Sequence, residues 1–400
     1  MAEENQAPAR KPDSRAAPDS PAGGAASEPP PGAPEGPAPI PTPGVTGGAA
    51  TWSSAPSPAE LAARRARSGL VRWAVILTVL GFGSLVDGLP EVAGLIALGG
   101  LFAAAHAADL DPTWRRAYEL LTLVPPLGGV LVFGYLAWTL ASSDLGLLAR
   151  VVAVAFAVVG VVGSAVTARP PSAGRAARWF FGPAEPSHAR QLGAQVTLAG
   201  FLLAVPSWFA FASMRGDLLE NPGTLLEEPR LLGGLVGEIL LALGAVGCWV
   251  RRDLRESFER LGLTRVSRAQ LGVVLLGVVA LFALNSGGEV LQHRWFPELW
   301  KRDLEMTRML GRGMTPAHVV LLGLSAGIGE EITLRGALQP RLGIARTALL
   351  FAGLHVQYSW FGILLVFTLG VTLGWIRART STTTAIISHA VYDALAVFGS

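Results

Sequence analysis

Apolar stretches separated by short polar segments recur along the chain from residue 70 to its end. A helix of about 20 residues crosses the ~30 Å hydrocarbon layer of a bilayer, and most of these stretches approach that length. They predict eleven candidate spans at 70–87, 92–108, 117–140, 147–167, 194–212, 231–250, 270–286, 317–338, 345–358, 360–376 and 381–398. The stretch 345–358 is the shortest and would cover only about 21 Å as a helix. We therefore expect an all-α fold, a polytopic transmembrane helical bundle of about 10 to 11 spans.

Composition supports lipid as the solvent. The chain is 51% hydrophobic and 15% charged, which is too apolar for an average soluble domain. Its net charge of +3 reflects arginines gathered between the apolar stretches, so we expect no nucleic-acid partner. Residues 1–60 differ, since they hold half of the prolines and too few large apolar groups to offset chain entropy. We expect a disordered cytoplasmic tail there.

Arginines in alternate loops predict the orientation, because cytoplasmic loops are enriched in them. Six arginines lie between 251 and 268, whereas 88–91 and 141–146 contain none. The long loop 287–316 is an exception with five basic residues, and long loops follow the rule less strictly. The pattern predicts a multi-pass protein of the plasma membrane with eleven crossings, a cytoplasmic N-terminus and an external C-terminus. This alternation of cytoplasmic and external loops requires that the segment 345–358 crosses the membrane.

Charged and imidazole side chains lie inside the last four candidate spans, where such groups are costly and usually functional. They are Glu330, Glu331, Arg335, His355, His389 and Asp393. The helical rise from the cytoplasmic ends places Glu330, His355 and His389 at depths of about 12, 15 and 12 Å. A shared depth in three separate segments predicts one site near the middle of the bilayer, facing the cytoplasm.

Spacing within each helix predicts partners, because residues four apart share a face. Glu331 is expected to pair bidentately with Arg335, and His389 to face Asp393. Glu330 then lies about 100° round its helix and is free for chemistry. A carboxylate in an apolar pocket is suited to take a proton from water. Asp393 would fix the orientation of the His389 ring.

The remaining roles follow from the chemistry of carbonyl attack. His355 would share the water held by Glu330, and His389 with Asp393 would stabilise the oxyanion that forms. The competing interpretation of the glutamates is a buried structural ion-pair network without a reaction. The shared depth favours a hydrolytic site over that interpretation.

Three motifs occur in order in this region. They are Glu330-Glu331-Ile-Thr-Leu-Arg335, Phe351-Ala-Gly-Leu-His355 and His389-Ala-Val-Tyr-Asp393. They fit the patterns EExxxR, FxxxH and HxxxN/D, and the chain resembles the CPBP family of CAAX proteases and bacteriocin-processing proteins, also called Abi. That family includes the Ras-converting CAAX endopeptidase and the lysostaphin resistance protein A-like proteins.

The resemblance implies an intramembrane endopeptidase that acts on membrane-associated proteins or peptides. It implies the catalytic residues Glu330, His355, His389 and Asp393, and the structural ion pair Glu331 with Arg335. The family core is expected at 194–400, with motifs at 330–335, 351–355 and 389–393. Additional transmembrane helices of unknown role are expected at 61–193. The expected partners are the lipid bilayer and a peptide or protein substrate.

A divalent metal such as zinc is compatible with these motifs but is not required by them. The candidate ligands are His355, His389 and either Glu330 or Asp393, which would leave one position open for water. The HExxH motif of zinc proteases is absent from the sequence. These ligand types allow zinc without demanding it, so a metal-independent glutamate mechanism is favoured.

Two other classes of function fit the same residues. An ion- or proton-coupled transporter would use intramembrane Glu, His and Asp side chains as a relay. Such transporters carry internal repeats with broken helices at matching positions, and the sequence shows no such repeat. A non-proteolytic membrane scaffold or immunity protein of the same fold is the other alternative, because a fold does not determine a function.

Overall fold

A computed structural model of the chain describes residues 56–220, 228–311 and 314–398. Every regular element in this part is helical, which confirms the all-α prediction. Eight stretches within it are long and apolar enough to cross a membrane. They are Pro58–Val86, Pro90–Ala108, Pro112–Ala141, Leu147–Thr167, His188–Leu219, Arg268–Trp295, Pro316–Leu342 and Trp360–Arg379. The polytopic membrane prediction is therefore confirmed as well.

The helices follow one another with short connections and two π-helical segments, π1 and π2. In order they are α1 (Pro58–Ile76), π1 (Leu77–Gly81), α2 (Phe82–Val86), α3 (Pro90–Ala108), α4 (Pro112–Leu121), α5 (Val124–Ala141), α6 (Leu147–Thr167), α7 (Pro170–Phe181), α8 (His188–Glu220), α9 (Glu228–Ala245), α10 (Leu254–Leu261), α11 (Arg268–Trp295), α12 (Pro297–Gly311), α13 (Pro316–Glu330), π2 (Glu331–Leu338), α14 (Gln339–Leu342), α15 (Ile344–Gly353), α16 (Trp360–Arg379) and α17 (Thr382–Phe398).

The predicted tail, residues 1–60, lies outside the described residues as far as residue 55. Helix α1 already begins at Pro58, inside the segment expected to be a tail. Ser57 and Glu60 explain this start, because each side chain accepts a hydrogen bond from the other residue's backbone N–H. Such a capping box satisfies two amide groups at the first turn of a helix.

Three of the eleven predicted spans are not among the eight long apolar stretches of the described chain. Helix α9 carries Glu228, Arg230 and Glu238, and α17 has 17 residues, the lower limit for a span. Helix α15 has only ten residues and covers about 15 Å, too little to cross. The predicted topology of eleven crossings required this segment to cross the membrane. Because α15 is too short to do so, that prediction loses its support.

Small residues bring the helices that carry the motifs close together. Gly323 and Gly327 of α13 face Ala390 and Ala394 of α17. A Cβ atom on Gly323 would lie 2.7 Å from the carbonyl oxygen of Ala390, and one on Gly327 would lie 2.7 Å from its nitrogen. Small residues four apart allow such contact between membrane helices. The contact places the first motif, at the end of α13, beside His389.

Helix α9 packs along the other side of α13 and joins it to α3. Ser325 donates a hydrogen bond of 2.9 Å to the carbonyl of Leu231. Thr333 of π2 donates one of 3.2 Å to the carbonyl of Glu238. These side-chain bonds fix the rotation of α13 and π2 relative to α9, which matters because buried donors need partners in lipid. The amino-terminal helices therefore support the motif helices through α3 and α9.

A polar junction at the turn between α3 and α4 ties α1 to this framework. The Asp111 side chain accepts bonds from the Thr113 amide at 2.9 Å, the Thr113 hydroxyl at 2.6 Å and Arg67 Nε at 2.7 Å. It is only 3% exposed. The bond from Arg67, followed by those from Thr113, lowers the pKa of Asp111 to about 2.

We predict that Asp111→Ala lowers the free energy of unfolding by about 1 kcal/mol, because it removes the N-cap of α4. Asp111→Asn keeps an acceptor for Thr113 and should lose less. The carboxylate contribution should be present above the ordinary pKa of 3.8 and be lost as the pH falls through about 2. Thermal unfolding in detergent measures this, and equal losses in the two variants would contradict the capping role.

Candidate active site

Four side chains form a continuous polar line between π2 and α17, which we call the buried ionic line. Arg335 Nη1 lies 3.0 Å from Glu331 Oε1, and both side chains are fully buried at 0% exposure. The same Glu331 oxygen lies 3.0 Å from His389 Nδ1. His389 Nε2 in turn lies 3.3 Å from Asp393 Oδ2. The line therefore links the first and third motifs through one shared carboxylate oxygen.

The Glu331–Arg335 contact differs from the bidentate pair expected from the sequence. Nη1 is an ion-pair partner by distance but lacks the alignment of a hydrogen bond, and Arg335 Nε and Glu331 Oε2 have no hydrogen-bond partner among the described residues. The Arg335 guanidinium contacts α16 and α15 instead. Its Nη2 donates to the carbonyl of Gly370 at 3.3 Å, and its guanidinium lies 4.4 Å from the centre of the Phe351 ring.

The π-helical segment π2 holds both members of the pair. A π-helix bonds residue i to i+5, has a wider turn than an α-helix and occurs mainly as short insertions at functional sites. The side chains of Glu331 and Arg335 still share a face despite the wider turn, as their 3.0 Å contact shows. The transition from α13 to π2 occurs between Glu330 and Glu331, so the two adjacent glutamates belong to different helical geometries.

His355 lies in the loop between α15 and α16, not in a helix as the sequence predicted. Its Nδ1 lies 2.9 Å from the carbonyl oxygen of Phe351. A carbonyl can only accept, so Nδ1 donates and the lone pair of the neutral ring is on Nε2. The ring packs edge-on against Phe351 at 4.6 Å and parallel to Tyr358 at 6.4 Å.

Phe351 connects all three motifs by ring contacts. It lies 4.4 Å from the Arg335 guanidinium, 4.6 Å from the His355 ring and 6.0 Å from the His389 ring. Gly370 makes room for it, since a Cβ atom there would lie 2.9 Å from Phe351 Cδ1. The phenylalanine of the second motif therefore fixes the spacing between the two histidines.

A second polar cluster, which the sequence analysis missed, holds the His355 loop in place. Asp303 of α12 accepts from the Ser359 amide at 2.7 Å, from the Ser359 hydroxyl at 2.6 Å and from Gln292 at 2.7 Å. Ser359 caps α16 by accepting from the Gly362 amide at 3.2 Å. No local sequence motif marks Asp303 as the anchor of this loop.

Glu330 is half-buried at the end of α13. It interacts electrostatically with His389, Asp393 and Glu238. His355 also interacts electrostatically with Asp393. Glu330, His355 and His389 therefore all lie close enough to Asp393 to interact with its charge.

Glu238 of α9 is a further carboxylate at this site that the sequence analysis did not identify. Its carboxylate occupies the space that a side chain on Gly329 would need. Gly329 directly precedes Glu330, so the two carboxylates lie on facing helices. The signal was available, because Glu238 is an ionisable residue inside the predicted span 231–250 and such residues are functional suspects.

The candidate metal ligands do not form a coordination site. Among the described residues no three His, Cys, Asp or Glu side chains are placed to hold a metal ion. Both ring nitrogens of His389 face carboxylate oxygens, which leaves neither free as a ligand in this arrangement. Glu330, His355 and His389 therefore do not fit the three-ligand set considered from the sequence, and we derive no step through a metal.

Comparison with known proteins adds independent information on the motif region. Residues 312–395 match the family model described as type II CAAX prenyl endopeptidase Rce1-like. This part of the chain is an Rce1-like domain of the CAAX-protease family. All three motifs lie within the matched range. The match supports a membrane-embedded peptidase of the CAAX type.

A curated relative matches a longer segment of the chain. The uncharacterized protein YpbD of Bacillus subtilis (strain 168) is 24% identical over 160 residues, which are 39% of this chain and 82% of YpbD. No solved structure matches the chain. The Rce1-like domain and the apolar helices together support a multi-pass membrane protein.

We predict that Asp303→Ala releases the His355 loop. The substitution removes the acceptor of the buried Ser359 amide and hydroxyl and one of the two acceptors of Gln292 Nε2. This loss should cost about 1–3 kcal/mol of unfolding free energy. Hydrogen exchange at 354–359 should accelerate in the same variant. Glu305→Ala is the matched control, because Glu305 lies on the same helix and pairs with Arg215 at 2.7 Å while 60% exposed. Equal effects of both substitutions on the loop would contradict the anchoring role.

Proposed function

We propose that the Rce1-like domain is an endopeptidase that hydrolyses peptide bonds of membrane-associated proteins or peptides, with Glu330 as the base that activates water. The observation that carries this proposal is the buried ionic line. It joins His389 to Glu331, the residue that follows Glu330, and it gives Glu331 its own cationic partner. Of the two glutamates in the first motif, Glu331 forms the ion pair with Arg335, and Glu330 remains available as a base.

Three of the four catalytic candidates, Glu330, His355 and His389, act on the water and the peptide directly. Glu330 takes a proton from a water molecule that His355 Nε2 helps to hold, and the water oxygen bonds to the peptide carbonyl carbon. The carbonyl oxygen becomes an oxyanion, which an N–H of His389 stabilises. The carbon–nitrogen bond then breaks, and Glu330 returns its proton to the departing amine. Water is consumed, and a carboxylic acid and an amine are formed.

His389 is suited to the oxyanion because two carboxylates orient it. Glu331 lies 3.0 Å from Nδ1, whereas Asp393 lies 3.3 Å from Nε2. The longer contact is the weaker one, so Nε2 can be shared with a substrate oxygen. Glu331 and Arg335 act structurally in this proposal, since they are fully buried and reach the substrate only through His389.

We further propose that the chain is a plasma-membrane protein with its amino terminus and its site facing the cytoplasm. The support is the arginine distribution. Arginines cluster near the start of α1, at the start of α4, between α6 and α8, and between α9 and α11. Cytoplasmic segments are enriched in arginine, and these four clusters lie on one side of the membrane when the helical stretches between them cross it in pairs.

Glu330→Gln tests the proposal directly. We expect it to reduce peptide cleavage about 10²- to 10⁴-fold, the usual contribution of a general base, with little change in unfolding temperature. The assay compares membranes carrying each variant against a peptide library and detects new termini by mass spectrometry. Glu298→Gln is the matched control, because Glu298 is 82% exposed on α12 and should leave cleavage unchanged. Cleavage by Glu330→Gln at the wild-type rate would refute the proposal.

The metal question has its own test. The described residues offer no three-ligand set, so we expect a chelator to leave cleavage by the purified full chain unchanged. Loss of cleavage on chelation, restored by zinc, would show instead that the site rearranges to hold a metal.

A further inference from the structure

A cavity of about 630 Å³ opens at the end of the bundle where α1 begins and where α3 and α9 end. Arg65, Arg251, Arg252 and Glu256 form its polar wall, and Leu61 and Leu110 belong to its apolar wall. A smaller cavity of about 240 Å³ adjoins it and shares Arg65. The cavity is separate from the buried ionic line, since none of its lining residues belongs to the three motifs.

The wall carries more positive than negative charge. Arg65 pairs with Glu256 at 3.0 Å. Arg251 reaches Asp109 at 3.2 Å, but Asp109 also pairs with His188 at 2.9 Å. Three guanidinium groups therefore face a single lining carboxylate.

Arg252 lacks a carboxylate partner among the described residues. Its Nη1 donates to the backbone carbonyl of Val246 at 2.5 Å, and no carboxylate among the described residues pairs with it. Partial burial, followed by the charge of Arg251, lowers the pKa of Arg252. Like charges held close to one another favour the binding of an anion.

The backbone behind these arginines is held in an unusual and rigid turn. Trp249 has φ of 63°, a conformation that residues other than glycine rarely adopt and that occurs at ligand clamps. The Trp249 amide donates to the carbonyl of Arg252 at 2.7 Å, and Trp73 donates to the carbonyl of Cys248 at 3.1 Å. Gly69 of α1 leaves space for the Trp249 carbonyl, which a Cβ atom would occupy. The turn therefore presents Arg251 and Arg252 at fixed positions.

We propose that this cavity binds the phosphate group of an anionic membrane lipid, with the lipid's apolar portion against Leu61 and Leu110. Guanidinium groups match phosphate oxygens in charge and geometry. Basic pockets between membrane helices on the cytoplasmic side suit anionic headgroups, and the arginine distribution predicts that this end is cytoplasmic. A free phosphate ester offers the same charge but lacks the apolar part. The proposal does not depend on the peptidase activity.

The test measures binding of phosphatidylglycerol to the full chain by native mass spectrometry in detergent. Phosphatidylcholine, whose phosphate is neutralised by choline, should bind clearly less. Arg65→Gln should weaken phosphatidylglycerol binding about fivefold, the usual effect of one basic residue near anionic lipid. Glu256→Gln should strengthen binding by a similar factor. Glutamine preserves the capping box that Glu256 forms with Asp253, so this variant should fold.

Arg255→Gln and Glu259→Gln are matched controls. They change the net charge by the same amounts, but these residues pair with each other on the exposed face of α10, with side chains 87% and 62% exposed. Both should bind phosphatidylglycerol as the wild type does. Equal shifts in control and cavity variants, or equal binding of the two lipids, would overturn the site. Competition by glycerol phosphate at a concentration equal to that of the lipid would overturn the assignment to a lipid.

Discussion

A carboxylate and a guanidinium buried together in a lipid-embedded bundle constrain the rest of this site. Removing each ion from water costs several kcal/mol, which only close and well-partnered contacts can offset. Glu331 Oε1 offsets part of this cost by contacting both Arg335 and His389. Arg335 offsets a further part through the carbonyl of Gly370 and the face of Phe351. The three motifs are thus held at fixed separations by the need to neutralise one pair, and Glu330 is left available beside it.

The apolar pattern predicted the membrane helices well because span length and hydropathy are local properties. It failed at 345–358, where the apolar run suggested one helix but α15 ends at Gly353. A tertiary contact separates α15 from α16. Asp303, from a helix some fifty residues earlier, binds Ser359 and fixes the start of α16. Hydrophobicity along a segment carries no information about such a partner. His355 consequently lies in a loop whose position depends on α12.

Spacing predicted the contacts within helices, since Glu331 lies near Arg335 and His389 near Asp393. It could not predict the contact between Glu331 and His389, because that contact depends on how closely α13 approaches α17. The small residues that allow the approach were visible in the sequence, but their rotational register was not. Glu238 is a different case. It is an ionisable residue inside an apolar span, which is by itself a signal of function, although it lies outside the last four spans that carry the motifs.

A double-mutant cycle on the unfolding free energy of the full chain in detergent tests this account most directly. Glu331→Gln and Arg335→Met should each cost about 3–5 kcal/mol, because each strands a buried partner charge. The double variant removes both charges and should lose much less than the sum of the two single losses. Losses that simply add would show that the pair is not coupled, and the buried ionic line could not then be what holds the three motifs together.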